Sequence, residues 1–406
     1  METVDILIKN AQELITLKGP NRPRIKDELK NLSIIPHGSI AIHDSRVIAV
    51  GKHLLYKGEI TVDASGKTVM PGFVDPHTHL VFAGSREFEL EMKLQGLSYM
   101  EILKKGGGIF YTVNETRRAS QELLLQQSRK RLDTMLHQGT TTCEAKTGYG
   151  LDTKTELKLL SVQKKLNETH EIEIISTFLG AHAVPKEYTA EEYTRLVIDE
   201  MLPKTKHLAQ FCDVFCEKDV FSIAQSRRIL TAGKNYGLLP KIHADEIVDT
   251  GGASLAAEVG AISADHLLQS SEKGLKQLAS TGVVGVLLPG TPFSLMLHTY
   301  ASARQMIKMG IPVALATDLN PNCWIENMQF IIQLACLKMK MNPAEAITAA
   351  TFNAACAINV NTEVGSLEKG KQADIIVLDC PSYSWIPYHI GRNLVDTVIK
   401  NGSIIE

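Results

Sequence analysis

The chain has 406 residues, a hydrophobic fraction of 44% and a formal net charge of −2. This length is enough for one large core, or for a core with a smaller second unit. Because the charge is close to zero, no broad basic field is present, and we do not expect nucleic acid as a partner.

The apolar segments are short and the cysteines are scattered. "VVGVLL" (283–288) is among the longest apolar runs and is far too short to span a bilayer, so we expect no membrane partner. The first residues, "METVDILIKN", carry acidic groups early and do not resemble a secretory signal. The seven cysteines form no CxxC pair. We therefore predict reduced thiols and a cytoplasmic location.

Both ends of the chain contain short β-like runs. The N-terminal part includes "VDILIKN" (4–10) and "GSIAIHDSRVIAVG" (38–51), and the C-terminal part includes "KQADIIVLD" (371–379). Valine and isoleucine recur there between Gly, Asp and Asn turn signals. We predict that residues 1–68 and 360–406 join into one small β-sandwich-like domain.

Residues 69–359 alternate helical patterns with short apolar runs. In "QELLLQQSRKRLDTMLHQG" (121–139) the apolar residues recur at spacings of three and four, as on a helix face. The apolar runs are rich in β-branched residues and number eight: 72–75, 140–144, 172–179, 210–216, 239–243, 260–266, 282–288 and 312–317. Eight strands alternating with helices predict an α/β fold, a closed (β/α)8 TIM-type barrel.

Residues that can bind metal or move protons follow most of these strands. Active sites of such barrels lie at the C-terminal ends of the strands. The candidates, in strand order, are His77 and His79, Glu144 and Tyr149, His182, His243 and Glu246, His266, and Asp318. Chance placement would scatter such residues over both ends of the barrel.

The pair His77 and His79 predicts a metal site. Side chains two residues apart on a strand point the same way, so both imidazoles can bind one ion. His243 and Asp318 would complete the protein ligands. Nitrogen and oxygen ligands suit zinc or iron(II), and the spacing does not choose between them. Water bound to such an ion ionises near neutral pH.

Several motifs resemble a known family. "PGFVDPHTH" (71–79), "HADE" (243–246), "SADH" (263–266) and "ATDLNP" (316–321) occur in the order typical of the amidohydrolase superfamily. Within it, the blocks "HLVFAGSRE", "GGGIFYTV", "KTGYGLD", "TFLGAHAVP" and "KIHADE" resemble the imidazolonepropionase family of histidine degradation. The resemblance extends from about residue 70 to the C-terminus.

The resemblance implies a reaction. It is the hydrolysis of 4-imidazolone-5-propanoate to N-formimidoyl-L-glutamate, by a metal-activated water attacking the ring carbonyl, with one metal ion per chain in a homodimer. Glu246 would contact the ring and carry protons, and His266 would orient or deprotonate the water. Asp318 would be both metal ligand and proton acceptor.

The resemblance also implies a substrate pocket. Arg86, Tyr149 and His182 match substrate-holding positions, with Arg86 pairing with the propionate carboxylate; a competing interpretation is a surface arginine paired with Glu87 or Glu89. Asn320 matches a product-contacting position. The family reads Asn-Pro-Gly and then a small hydroxyl residue, whereas "NPNCW" has Asn322 and Cys323 there. Asparagine tolerates positive φ better than most residues, so these positions can still bind substrate.

Several further residues have plain structural interpretations. Asp265 should face the other side of its strand from the histidine that follows it, which favours a structural role. Glu144 is either a site residue or a loop anchor. Cys212 and Cys216 fit buried small apolar groups. Lys218 as a carboxylated bridge between two metals is less favoured, because the resembled family binds one.

Two other functions compete with this assignment. A nucleobase deaminase or another cyclic amidohydrolase of the superfamily would share the metal ligands and Glu246, but would not need Arg86 for a substrate carboxylate. A non-catalytic assembly protein that keeps the barrel should lack metal ligands, and all four are present.

Overall fold

The computed structural model describes residues 2–97 and 99–405. In chain order the strands are β1 (Glu2–Ile15), β2 (Ile34–His43), β3 (Arg46–Gly51), β4 (Tyr56–Asp63), β5 (Thr68–Pro71), β6 (Phe73–Asp75), β7 (Thr140–Lys146), β8 (Glu173–Ala181), β9 (Phe211–Cys216), β10 (Leu239–Ala244), β11 (Ser263–His266), β12 (Val284–Leu287), β13 (Val313–Leu315), β14 (Ile375–Leu378), β15 (Val395–Lys400) and β16 (Ser403–Ile405).

The helices connect the strands and cover the barrel. They are α1 (Phe88–Leu94), α2 (Tyr99–Lys104), α3 (Ile109–Arg118), α4 (Gln121–His137), α5 (Thr153–Thr169), α6 (Ala190–Leu196), α7 (Leu202–Thr205), α8 (Ile223–Asn235), α9 (Gly252–Val259), α10 (Glu272–Thr281), α11 (Gly290–Ser294), α12 (Ala303–Met309), α13 (Met328–Met339), α14 (Pro343–Ala349), α15 (Phe352–Ala357) and α16 (Trp385–Tyr388). A 3-10 turn spans Lys26–Lys30, and a π-helical turn at Val197–Met201 joins α6 to α7. Among the described residues, none of these helices combines the length and the apolar character that a bilayer crossing requires.

The two chain ends form one eight-stranded sheet, as predicted. Its order is β16-β15-β14-β5-β1-β2-β3, and β4 also pairs with β1. The long strand β1 pairs antiparallel with β2 on one edge, and parallel with β4 and then β5 on the other. Buried apolar side chains from both ends, including Ile8, Ile40 and Ile375, form its own hydrophobic cluster. Burial of these side chains is what joins the two termini.

Strands β6 to β13 form the barrel in chain order, each parallel to the next, which confirms the eight predicted strands. Several of the helices in between begin with side-chain caps; Ser222 and Gln225, for example, form a capping box at α8. Strand β7, "TTTCEAK", is buried throughout although most of its residues are polar. The barrel interior is therefore not purely apolar.

The barrel seam between β13 and β6 closes at its C-terminal end. The amide of Asp318 donates to the His77 carbonyl (3.1 Å), and the amide of His79 donates to the Leu319 carbonyl (2.8 Å). Just below, the buried Asp75 carboxylate accepts a hydrogen bond from the Thr317 amide at 3.1 Å. Closing the seam at this point brings the two histidines after β6 beside the aspartate after β13.

Candidate active site

Three buried imidazoles converge at the C-terminal end of the barrel. His77 and His79 follow β6, and His243 lies on β10, with ligand nitrogens within 4.8 Å of one another. The Nε2 atoms of His77 and His243 are buried, and neither has a hydrogen-bond partner within the described part of the chain. Unpaired buried polar atoms are costly, so their convergence fits a bound ion.

Asp318 supplies an oxygen to the same place. Its Oδ1 lies 3.5 Å from His77 Nε2 and 3.6 Å from His79 Nε2. Its backbone is held in the left-handed region (φ 55°), which is uncommon for a residue other than glycine and marks local strain. The other carboxylate oxygen accepts a hydrogen bond from the Thr291 hydroxyl. Three imidazole nitrogens and one carboxylate are a donor set that suits zinc or iron.

The electrostatic environment of the site favours the neutral form of the imidazoles, which is the form that binds a cation. Burial lowers the pKa of His77, His79 and His243 well below the ordinary histidine value, so all three are neutral at pH 7. A metal ligand must be a neutral imidazole. Burial also raises the pKa of Asp318 to about 6, so this carboxyl is still largely ionised at neutral pH.

Glu246 and His266 stand next to each other at the site with opposite pKa shifts. Glu246 Oε2 lies 3.6 Å from His266 Nε2. Burial, then Asp318 and Glu217, raise the pKa of Glu246 to about 8, so that its carboxyl carries a proton at pH 7. Burial lowers the pKa of His266 to about 4, so that its ring is neutral and can accept a proton. Two neighbouring groups with separated pKa values can divide acid and base roles.

Tyr149 and His182 form an aromatic wall beside the imidazoles. The His182 ring stacks on His79, with centroids 4.8 Å apart and an interplanar angle of 9°, and Tyr149 lies 5.3 Å from His182. His182 Nδ1 lies 3.1 Å from the carbonyl oxygen of Gly148. Gly148 has φ +109°, and a Cβ there would come within 2.7 Å of His182 Nδ1, so only glycine fits this turn.

Arg86 is buried and paired with Glu89. Its Nε and Nη2 donate to the two Glu89 oxygens at 2.7 and 2.8 Å. Glu89 also accepts a hydrogen bond from the Gly108 amide at 2.6 Å. The ion pair with Glu89 is therefore present, but the arginine is not on the surface. Burial raises the pKa of the Tyr149 phenol, and the positive charge of Arg86 partly opposes that rise.

The Asn320 side chain stabilises the loop after β13 through hydrogen bonds to three backbone groups. Asn320 Nδ2 donates to the Asp318 carbonyl (2.8 Å), and Oδ1 accepts from the amides of Asn322 (2.7 Å) and Cys323 (3.1 Å). The Cys323 thiol is fully buried and lies 3.6 Å from the Thr317 carbonyl oxygen. Asn322 Oδ1 accepts from the Lys93 ammonium at 2.6 Å, a contact between α1 and this loop that sequence reasoning missed.

The expectation that Asp265 faces away from the site is wrong. Its Oδ2 lies 2.6 Å from His77 Nδ1, and its Oδ1 accepts from the Ser263 hydroxyl at 2.7 Å. Alternation along β11 places Ser263 and Asp265 on the inner face of the barrel. His266 still reaches the site because its backbone turns into the left-handed region, with φ 76°.

Glu144 lies inside the barrel, below the candidate metal ligands. It accepts hydrogen bonds from Lys146 and Lys241 at 3.1 and 2.9 Å, so it anchors an interior network and not a loop. Lys218, by contrast, is exposed. Cys212 is buried as predicted, and a Cβ added to Gly233 of α8 would come within 2.7 Å of the Cys212 Cβ.

Comparison with known proteins defines the class. The amidohydrolase family profile matches residues 68–405. A zinc-bound adenosine deaminase from Xanthomonas campestris has the same fold, with a TM-score of 0.73 and 18% identity over 99% of this chain and 93% of its own. A triazine hydrolase variant superposes with a TM-score of 0.73 and 16% identity over 98% of this chain and 94% of its own. The chain belongs to the amidohydrolase family.

Much closer relatives define the branch. The imidazolonepropionase of Alkaliphilus metalliredigens is 50% identical over 99% of this chain and 98% of its own. That of Geobacillus kaustophilus is 51% identical over 98% of this chain and 97% of its own. Within the amidohydrolase family, the chain therefore belongs to the imidazolonepropionases.

Proposed function

We propose that this chain hydrolyses 4-imidazolone-5-propanoate to N-formimidoyl-L-glutamate. The observation that carries the proposal is identity of about half over almost the whole length with imidazolonepropionases. It is supported by the convergence of His77, His79, His243 and Asp318 next to Glu246 and His266. We further propose one divalent metal ion per chain, zinc or iron, held by the first four of these residues.

A divalent metal, when bound, acidifies water and polarises a carbonyl oxygen. The side chains of His266 and Glu246 would transfer the protons. His266 is neutral and can accept the proton of the attacking water. As the ring C–N bond opens, the carbonyl carbon keeps the oxygen from water and the ring nitrogen must gain a proton. Glu246 is protonated at pH 7 and can donate that proton.

Positive charge near Tyr149 and the loop after β13 supports a carboxylated substrate. Arg86 and Lys93 carry two positive charges against the single negative charge of Glu89, and both cations act on that carboxylate. The pair leaves Arg86 Nη1 without an acceptor among the residues that the structure describes. A propionate carboxylate can accept from this remaining donor in a charge-assisted hydrogen bond, which is stronger than the bond that an uncharged nucleobase could accept.

The test is loss of imidazolonepropionate absorbance when purified, metal-loaded protein is added. We expect turnover of this compound and no ammonia release from cytosine, guanine or adenosine. Ammonia release without turnover of imidazolonepropionate would support a deaminase instead. Failure of the protein to bind zinc or iron would exclude both.

A further inference from the structure

Beneath the metal site, the barrel interior holds five charged side chains that the proposed mechanism does not use. They come from β7, β9, β10 and β11, and each has an exposed fraction of 0%: Glu144, Lys146, Asp213, Lys241 and Asp265. Three carboxyl groups face two amino groups, so with every group ionised the cluster carries a net charge of −1. Buried charges are costly unless they are paired and hydrogen-bonded, which makes the pairing scheme informative.

Lys146 is the centre of the cluster. Its Nζ lies 2.7 Å from Asp213 Oδ2, 3.0 Å from Glu144 Oε2 and 3.3 Å from Asp265 Oδ2. The same two aspartate oxygens also contact metal-site imidazoles. Asp265 Oδ2 hydrogen-bonds with His77 Nδ1 at 2.6 Å. Asp213 Oδ2 lies 3.1 Å from His243 Nδ1, at ion-pair distance but without hydrogen-bond alignment.

A carboxylate against Nδ1 determines which ring nitrogen carries the proton. When Nδ1–H faces the carboxylate, the lone pair of Nε2 is left free to bind an ion. The Nε2 atoms of His77 and His243 are among the buried nitrogens that lack a hydrogen-bond partner within the described residues, so both are free to bind an ion. One ammonium thus holds both carboxylates that orient two ligands coming from different strands.

We propose that Lys146 is a positioning residue of the metal site, which holds Asp213 and Asp265 against His243 and His77. Without the ammonium, the two carboxylates repel each other at close range, and one of them must rotate away or take up a proton. Either change weakens the orientation of an imidazole. The proposal rests on the metal site and does not depend on which substrate is hydrolysed.

Lys241 provides a matched control. It is equally buried and carries the same charge, but its Nζ contacts Glu144 Oε2 (2.9 Å) and the Pro76 carbonyl (3.1 Å). No ion pair between Lys241 and either aspartate is found among the described residues. Replacing either lysine by methionine removes one positive charge from the same interior. The change in zinc affinity that comes from this loss of repulsion alone should therefore be similar in both variants.

The experiment titrates Zn²⁺ into metal-free, full-length protein in competition with a chelating indicator. We expect Lys146→Met to bind zinc about 10- to 100-fold more weakly than the parent, the usual effect of losing a residue that orients a metal ligand. Lys241→Met should stay within about threefold of the parent, because it touches no ligand-orienting carboxylate. Equal affinity loss in the two variants, or tighter zinc binding by Lys146→Met, would overturn the proposal.

A second set of variants covers the case in which Lys146→Met does not fold. Asp213→Asn and Asp265→Asn keep the side-chain volume, and each should weaken zinc binding. Adding Lys146→Gln to the double asparagine variant should then change zinc affinity by less than about threefold, because the contacts through which it acts are gone. Zinc affinity unchanged in both asparagine variants, or a fully additive loss on adding Lys146→Gln, would overturn the proposal.

Discussion

Replacing Arg86 tests how the site recognises a carboxylate, and the structure sets the size of the effect. The guanidinium forms two parallel hydrogen bonds to Glu89, and both side chains are almost completely buried. Arg86→Ala therefore has two consequences. It removes the proposed partner of the propionate. Among the described residues, it leaves the Glu89 carboxylate with the Gly108 amide and no cation in contact.

The two consequences have different magnitudes and different readouts. Leaving a buried charge without its partner costs about 3–5 kcal/mol of folding stability. Losing a buried charge pair with the substrate costs about 2–5 kcal/mol of transition-state binding. At about 1.4 kcal/mol for each factor of ten, kcat/KM for imidazolonepropionate should fall roughly 30-fold to several-thousandfold. Lysine at this position should rescue only part of this loss, because it keeps the charge but loses the planar fork that pairs with Glu89 and leaves Nη1 for the propionate.

A double variant separates folding from recognition. Arg86→Met with Glu89→Leu replaces the ion pair by apolar groups of similar volume, which is often neutral for stability. We expect near-parental thermal unfolding and metal content, together with the full loss of kcat/KM for imidazolonepropionate. The kcat/KM for an uncharged carboxamide analogue should fall much less. Equal losses for the charged and the uncharged compound in this variant would show that Arg86 does not bind the carboxylate.

The remaining predictions concern the metal and the proton-transfer groups. His79→Ala should lose metal and activity together, and activity in a metal-free variant would contradict the ligand assignment. Elemental analysis of the parent should find one equivalent of transition metal per chain, not two. Glu246→Gln should keep its metal and lose about 100- to 10,000-fold in kcat. The pKa of this carboxyl rises from 4.5 in the unfolded chain to about 8 in the folded protein. Between these pH values the unfolded chain loses the proton more readily, so the stability of the folded protein falls as pH rises. Metal-free Glu246→Gln should accordingly gain thermal stability over the parent from about pH 5 to pH 8, and a constant difference would exclude the raised pKa. Asn322→Gly with Cys323→Thr should release Lys93 and change kcat/KM by less than about tenfold; complete inactivity would show a pocket that depends on this loop.

The amino-acid sequence by itself determined the strands and indicated the candidate metal ligands. Runs of four to eight apolar or β-branched residues and helical spacing are local patterns, and they identified all eight barrel strands. The placement of His77 and His79 two residues apart is equally local. Once the barrel was predicted, its geometry placed the residues that follow each strand at one end, which brought His243, His266 and Asp318 into the same site.

Only the tertiary structure decided how the polar groups pair. Asp265 was assigned to the wrong face because regular alternation fails at His266, whose positive φ cannot be read from neighbouring residues. The contact of Lys93 with Asn322 joins positions 229 residues apart, and no local pattern relates them. Lys146 contacts carboxylates on two other strands. Such pairs depend on barrel closure and strand register, which are set by packing over the whole chain and not by any one segment.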